Sequence, residues 1–362
     1  MAERKRIFIV GTRVLSYPRN RTLARACEVL GDIMIIELTP SFVAQWKFFW
    51  STLSSARKED RLLIVYPAER LICTVLLARC FFHGEIIGDT FISAYDSLVS
   101  DRVLASSWSI KALYYTIIDQ LVCFCSDVLL FDTKEHEEYF RKRYLIHRST
   151  KTLIIPITMD TEEFDAVSSV YPVEIQQRSG RFMVLFFGNY IPLQGVQYIL
   201  HAIALLPDRG RFRFLMVGNG QTRGMAFRLR DELGLSDVEF IERLPHKAVI
   251  ALTKKVDLTL GIFGDTEKAA RVIPNKLLEA MACGTPVVTG KNSAMERYFE
   301  DGKEVYYCAM GDAQSLADAI LRAYGERENR DAMRAAAREV INREFSVPVL
   351  KERLLGIVGE NK

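Results

Sequence analysis

The stretch RVIPNKLLEAMACGTPVVTG, from Arg271 to Gly290, sets one carboxylate, Glu279, among apolar neighbours. Pro274 suits a first helical turn, where its missing N–H would have no partner anyway, and Gly284 suits the left-handed residue that closes a helix. Leu277, Leu278, Ala280, Met281 and Ala282 make the helix between them small and apolar, and PVVTG reads as a short buried strand. A carboxylate in such surroundings is costly unless hydrogen-bond donors meet it, which makes Glu279 a candidate ligand-binding group; an exposed helix charge is the alternative reading. The seven cysteines are odd in number and scattered, with no C-x-x-C or H-E-x-x-H spacing, so no metal site is expected. His83, His147, His201 and His246 have no partner spacing, and His136, among the acids of DTKEHEEYF, reads as part of a solvated face.

A chain of 362 residues is long enough for two ordinary domains to position these groups. Its 49% apolar and 26% charged residues are those of a soluble globular protein. A net charge of +3, with cations interspersed among acids, excludes the basic stripe that nucleic acid requires. The scattered cysteines fit a reduced, cytoplasmic compartment, the apolar run after MAERKR is too short for a secretion signal, and no stretch approaches the ~18 to 20 apolar residues of a membrane span.

From RIFIVGTRV onward, helix-like and strand-like segments alternate, and RFMVLFFGNYIPLQG, from Arg181, restarts the same pattern. Continuous apolar strands between helices argue for parallel sheets covered on both faces. The expected fold class is α/β, with two doubly wound Rossmann-like domains facing across a cleft. The polar segment DAVSSVYPVEIQQRSG is the natural linker between them. The expected boundaries are 1–172, 173–344 and a C-terminal helix over 345–362 that packs back toward the N-terminal domain.

Several segments together resemble the group 1 (family 4) glycosyltransferases with the two-Rossmann GT-B fold. TLIIPITMDTEEF is similar to the end of their first domain, FFGNYIPLQGVQYILHAIALL to the opening of the second, and FRFLMVGNGQ to the strand and turn that follow. NKLLEAMACGTPVVTG resembles the most specific motif, and FEDGKEVYYCAMGDAQSLADAI and FSVPVLKERLLGI match the tail. The resemblance implies a sugar nucleotide, a UDP- or GDP-sugar, held by the second domain, and a glycan or lipid-linked acceptor held by the first. It further implies transfer with retention, no metal and no cofactor beyond the co-substrate, in cell-envelope or surface glycan assembly. Glu279 then accepts hydrogen bonds from the ribose hydroxyls, with the helix N-terminus toward the diphosphate. The implied donor-binding set is Glu279, Arg271, Lys276, Asn275, Gly188, Asn189, Gln194, Gly195 and Gly218, with Arg13 reaching in, beside Arg19, from the other domain.

Three charged positions depart from the family pattern. Its Arg and Lys in the second-domain loop are here Asn189 and Gln194, and its first Glu is Arg271. Losing two hydrogen bonds to charged groups without replacement would cost ~10² to 10⁴ in affinity. Arg271 and Lys276, with backbone amides near Gly188 and Gly195, are the available substitutes. Glu267, in a lengthened loop with Asp265, is a candidate for the donor sugar, a solvated loop charge being the alternative. Asp89, at a strand end where relatives carry a His, is a candidate catalytic residue, and Asp96 a weaker one; turn and cap roles compete for both.

Two other readings compete. Gly218-x-Gly220 after a strand, with Glu242 beyond, suggests a nicotinamide site, but the third glycine falls one residue late. A non-catalytic relative acting through partner binding fits the losses at Asn189 and Gln194. Finally, Trp46, Phe49, Trp50 and Leu53 share one helical face. That face would rest on a membrane surface, or else pack the helix on its own sheet.

Overall fold

The computed structural model describes residues 5–168 and 180–359, so most of the expected linker lies outside the described residues. The chain forms two compact units, Met1–Thr158 with Val347–Lys362, and Met159–Ser346. The division falls at Thr158 rather than 172 because the helix Thr161–Ala166 is held by the second unit: Lys254 Nζ donates to the carbonyls of Phe164 and Val167, each at 2.6 Å, and Phe164 meets the His246 ring edge-on.

The first unit runs β1 (Arg6–Gly11), α1 (Pro18–Ala26), β2 (Asp32–Glu37), α2 (Phe42–Ser51), β3 (Arg61–Ile64), α3 (Ile72–Phe81), β4 (Glu85–Asp89), α4 (Ile110–Cys125), β5 (Val128–Phe131), α5 (Lys134–Arg143) and β6 (Lys151–Ile154). Its strands lie in the order β2-β1-β3-β4-β5-β6, every neighbouring pair parallel. The period of two along β1 splits the core: Ile7 and Ile9 join α1 on one face, while Phe8 and Val10 meet α2, α3 and α4 on the other. The C-terminal helix, α14 (Val347–Gly359), returns to this unit and packs Leu350 and Leu354 onto the first face.

Two expectations are corrected here. Phe49 is fully buried in the core with Leu53, so the aromatic stripe divides and leaves only Trp46 and Trp50 exposed. His136 is not on a solvated face; it is buried against Phe131 and Phe140, with Nδ1 2.7 Å from Asp132 Oδ1. Its helix, α5, turns that side inward because Phe140, one turn later, is a core residue.

The second unit continues with α6 (Thr161–Ala166), β7 (Phe182–Asn189), α7 (Val196–Leu205), β8 (Phe212–Asn219), α8 (Arg223–Glu232), β9 (Glu239–Ile241), α9 (His246–Thr253) and β10 (Leu258–Leu260). It closes with α10 (Asn275–Ala282), β11 (Val287–Gly290), α11 (Ser293–Glu296), β12 (Tyr306–Cys308), α12 (Ala313–Gly325) and α13 (Arg330–Glu344). The parallel order β12-β11-β10-β7-β8-β9 reverses direction between β7 and β10. That reversal opens a crevice at the carboxyl ends of the two strands, the place where open α/β sheets bind ligands. Pro274 caps α10 rather than entering it, and Gly284, at φ 72°, closes it as the sequence suggests.

The divided stripe on α2 gives an expected outcome. Phe49→Ala should lose about 3–5 kcal/mol of unfolding free energy, and Trp50→Ala about 1 kcal/mol or less, in urea titrations of the whole chain. Equal losses would show that the exposed ring also carries core packing.

Candidate functional site

In the second unit, β7 and β8 end together, with Gly188 paired to Gly218 and Asn189 to Asn219. A Cβ on Gly218 would lie 1.9 Å from the Gly188 carbonyl oxygen, and its φ of 138° suits glycine alone, so the two strand ends stay open and close together. Gly195, at φ 65°, then starts α7 where a Cβ would strike the Phe263 carbonyl carbon at 2.5 Å. The N-terminus of α7 is thereby brought to the carboxyl edge of the sheet.

An open pocket of about 220 Å³ lies at this edge, walled by Gly188, Asn189, Gly218, Arg243, His246 and Glu279. Glu279 projects from the middle of α10, its side chain 15% exposed, with His246 Nε2 3.4 Å from its Oε1. Arg243 Nη2 donates to Asn189 Oδ1 at 2.7 Å. The position that lacks the family's Arg therefore tethers an arginine from the following strand end. One turn before Glu279, Lys276 is buried: its Nζ donates to the Gly261 carbonyl at 3.2 Å and stands 3.7 Å from the centre of the Phe186 ring. A methyl group on Gly188 would sit 3.0 Å from that nitrogen. Burial pushes the Lys276 amine well below the ordinary lysine range, against the opposing pull of Glu279. The Gln194 Oε1 atom is also buried near Gly188 and accepts no hydrogen bond among the described residues.

The remaining sequence candidates lie elsewhere. Asn275 is the first residue of α10. Arg271 ends a short 3-10 turn, with Nη1 3.8 Å from Glu267, whose side chain is 87% exposed; neither is among the pocket-lining residues. Glu242 pairs with Arg223 at 2.5 Å, and the Gly218–Gly220 turn belongs to the unit's second βα step, whereas a dinucleotide fingerprint occupies the first.

In the first unit, Arg13 is exposed in the loop after β1. Asp89 ends β4 fully buried, and both its oxygens accept hydrogen bonds from Arg19, the shortest at 2.9 Å, while Arg19 Nη1 donates to the Ile155 carbonyl at 2.7 Å. Asp96, also buried, opens the π-helical segment Asp96–Asp101 that follows the loop beyond. That loop is organised by Asp119, which the sequence reading missed: it accepts from Ser93 Oγ, Tyr144 Oη and the amides of Ala94 and Tyr95. Asp89, Asp119 and Glu69 line one small cavity, where burial raises the Glu69 carboxyl to about 7. Arg243 and His246 were also missed, although IERLPHK places both at the end of an expected strand, on the ligand-binding edge of the sheet.

The Lys276 environment sets a pH dependence. An amine whose pKa is depressed on folding costs stability, fully below the folded pKa, and the cost vanishes as pH rises through the unfolded value of 10.5. Lys276→Met should therefore be more stable than the wild type at neutral pH, the gap closing toward pH 10.5 in chemical denaturation. A gap that widened with pH would contradict the buried-amine reading.

Comparison with known proteins agrees with this fold. The model of the family "Glycosyl transferases group 1" matches residues 171–340. The alpha-D-kanosaminyltransferase of Streptomyces kanamyceticus is 26% identical over 239 residues, which cover 64% of this chain and 60% of that protein. The chain spans about half the length of the curated relatives it matches. Among solved structures, the sucrose-phosphate synthase of Thermosynechococcus elongatus superposes with a TM-score of 0.74 at 15% identity, over 99% of each chain. Anabaena Alr3699/HepE, solved with UDP and glucose, superposes at 0.73 and 14% identity, over 98% of this chain and 99% of that one. Residues 171–340 are thus similar to the group 1 glycosyl transferases, and the whole length of the chain carries the two-unit GT-B fold.

Proposed function

We propose that this chain transfers a sugar from a nucleoside diphosphate donor, a UDP- or GDP-sugar, to a glycan or lipid-linked acceptor. The observation that carries the reading is the convergence of Glu279, Arg243 and the open ends of β7 and β8 on one pocket, with the Lys276 amine buried directly beneath the pocket-lining Gly188. A carboxylate there accepts hydrogen bonds from two neighbouring ribose hydroxyls. A diphosphate over Gly188 meets the Lys276 amine and the α7 amides, and its negative charge restores the charge that burial withdraws from Lys276. Charge developing on the leaving diphosphate is then stabilised by groups already in place. Arg243, held by Asn189, supplies a further cation at the pocket wall, a role for which Arg271 is the other candidate.

Transfer with retention and without a metal rests on the family resemblance. So does the role of the first unit in holding the acceptor; Asp89, expected as a catalytic group, is instead buried with both oxygens bonded to Arg19 and positions that edge of the sheet. Seven free thiols support a cytoplasmic setting, where lipid-linked acceptors are met at the membrane surface. Asn189 and Gln194, uncharged where the family has cations, favour one second reading, a non-catalytic relative acting through partner binding.

Thermal unfolding of the wild type and Glu279→Ala against UDP, GDP, ADP, CMP and NAD separates these readings. Binding to the native state alone adds about 2.7 kcal/mol at a hundredfold excess over Kd. A shift with UDP or GDP that disappears in Glu279→Ala is the expected result, followed by release of nucleoside diphosphate from the matching sugar donor. No shift with any nucleotide would leave the non-catalytic reading standing. Anomeric-proton coupling in donor and product would test retention.

A further inference from the structure

In the first unit, α2 packs on α3 and α3 on α4, and the three bury Phe49, Val75 and Val122 on the same face of the sheet. They form one helical layer, whose outward side is apolar. Trp46, Trp50, Phe81, Leu113, Tyr114 and Ile117 are all exposed, Leu113 by 60%. The rings continue from one helix to the next: Trp46 meets Trp50 at 5.8 Å, and Trp50 meets Phe81 at 5.9 Å. Exposed aromatic and aliphatic side chains gathered on all three helices of one layer mark a contact with something else.

The charge pattern identifies what that is. The exposed charged residues of α2, α3 and α4 are Lys47, Arg79 and Lys111, all basic; Arg79 bonds Asp127 at 3.3 Å. The one acid within the three helices, Asp119, is buried and takes up four donors. Amphipathic aromatics, aliphatic residues and cations, with no exposed acid inside the three helices and Asp127 paired to Arg79 at their edge, are the composition of a surface that lies in a bilayer interface, rings among the acyl chains and lysines at the headgroups. Among the described residues no helix is long and apolar enough to cross a membrane, so the layer lies on the bilayer without spanning it. The structure assigns the outer face of α2, α3 and α4 as a docking surface for an anionic phospholipid membrane. The assignment uses first-unit residues alone and stands apart from the donor site.

Flotation of the full chain with vesicles tests it, comparing phosphatidylcholine alone with phosphatidylcholine containing phosphatidylglycerol. The wild type should float with the anionic vesicles, less with the neutral ones, and less as salt is raised. Leu113→Gln with Ile117→Gln should weaken binding about tenfold or more through lost apolar insertion. Lys47→Glu with Lys111→Glu leaves the apolar area intact, and should remove the preference for anionic vesicles while the circular dichroism melt stays unchanged. A wild type that stays unbound at every composition overturns the assignment. So does a vesicle-independent dimer in light scattering that the Leu113 and Ile117 substitutions dissolve, since the face would then belong to a second copy of the chain.

Discussion

The second unit depends on one amine. Lys276 is held inside the protein by a carbonyl and a ring face, and that placement is unfavourable for a charged group unless an anion approaches from the open side. Several other features follow from it. Pro274 starts α10 where Lys276 can reach under Gly188, one turn ahead of Glu279. Gly188 and Gly218 have no side chains, so the amine is separated from the crevice by little more than backbone. The adjacency of β7 and β10 supplies the Gly261 carbonyl, and that of β7 and β8 the pocket. On the proposed function, a donor diphosphate at Gly188 would relieve that desolvation.

The first unit handles a buried charge differently. Arg19 and Asp89 are both inside, and the guanidinium takes both carboxylate oxygens and a main-chain carbonyl. Such a pair contributes little net stability but is costly to break, because removal of either partner leaves the other charge alone. It fixes α1 to the ends of β4 and β6 at the carboxyl edge of the sheet. Each unit thus holds a buried charge at that edge, Lys276 in the second and the Arg19–Asp89 pair in the first.

Much of this was legible in the sequence. Continuous apolar strands alternating with helical periods can only be satisfied by covered parallel sheets, so both Rossmann-like units and their restart near Arg181 could be read directly. Glu279 stood out in the sequence as a lone carboxylate in an apolar helix, whereas Lys276, Gly188 and Gly218 were named through the resemblance to the glycosyltransferases. Arg243 and His246 were hidden because their partners, Asn189 and Glu279, are far away in sequence, and local spacing carries no trace of such pairs. Asp119 escaped for the same reason: it stands in a helix yet its donors come from a distant loop.

The sequence by itself determined the fold class, the glycine-lined strand ends and the helix that carries Glu279, because these are set by backbone sterics and hydrophobic period over a few residues. Tertiary structure decided which charges are paired, since pairing depends on distances between separate elements. It gave Asp89 to Arg19, sent His136 and Phe49 inward, and brought Arg243 to Asn189. It also decided which side of α2 meets water: period alone defines an apolar face, and only the packing of α2 on α3 settles which rings that face leaves exposed.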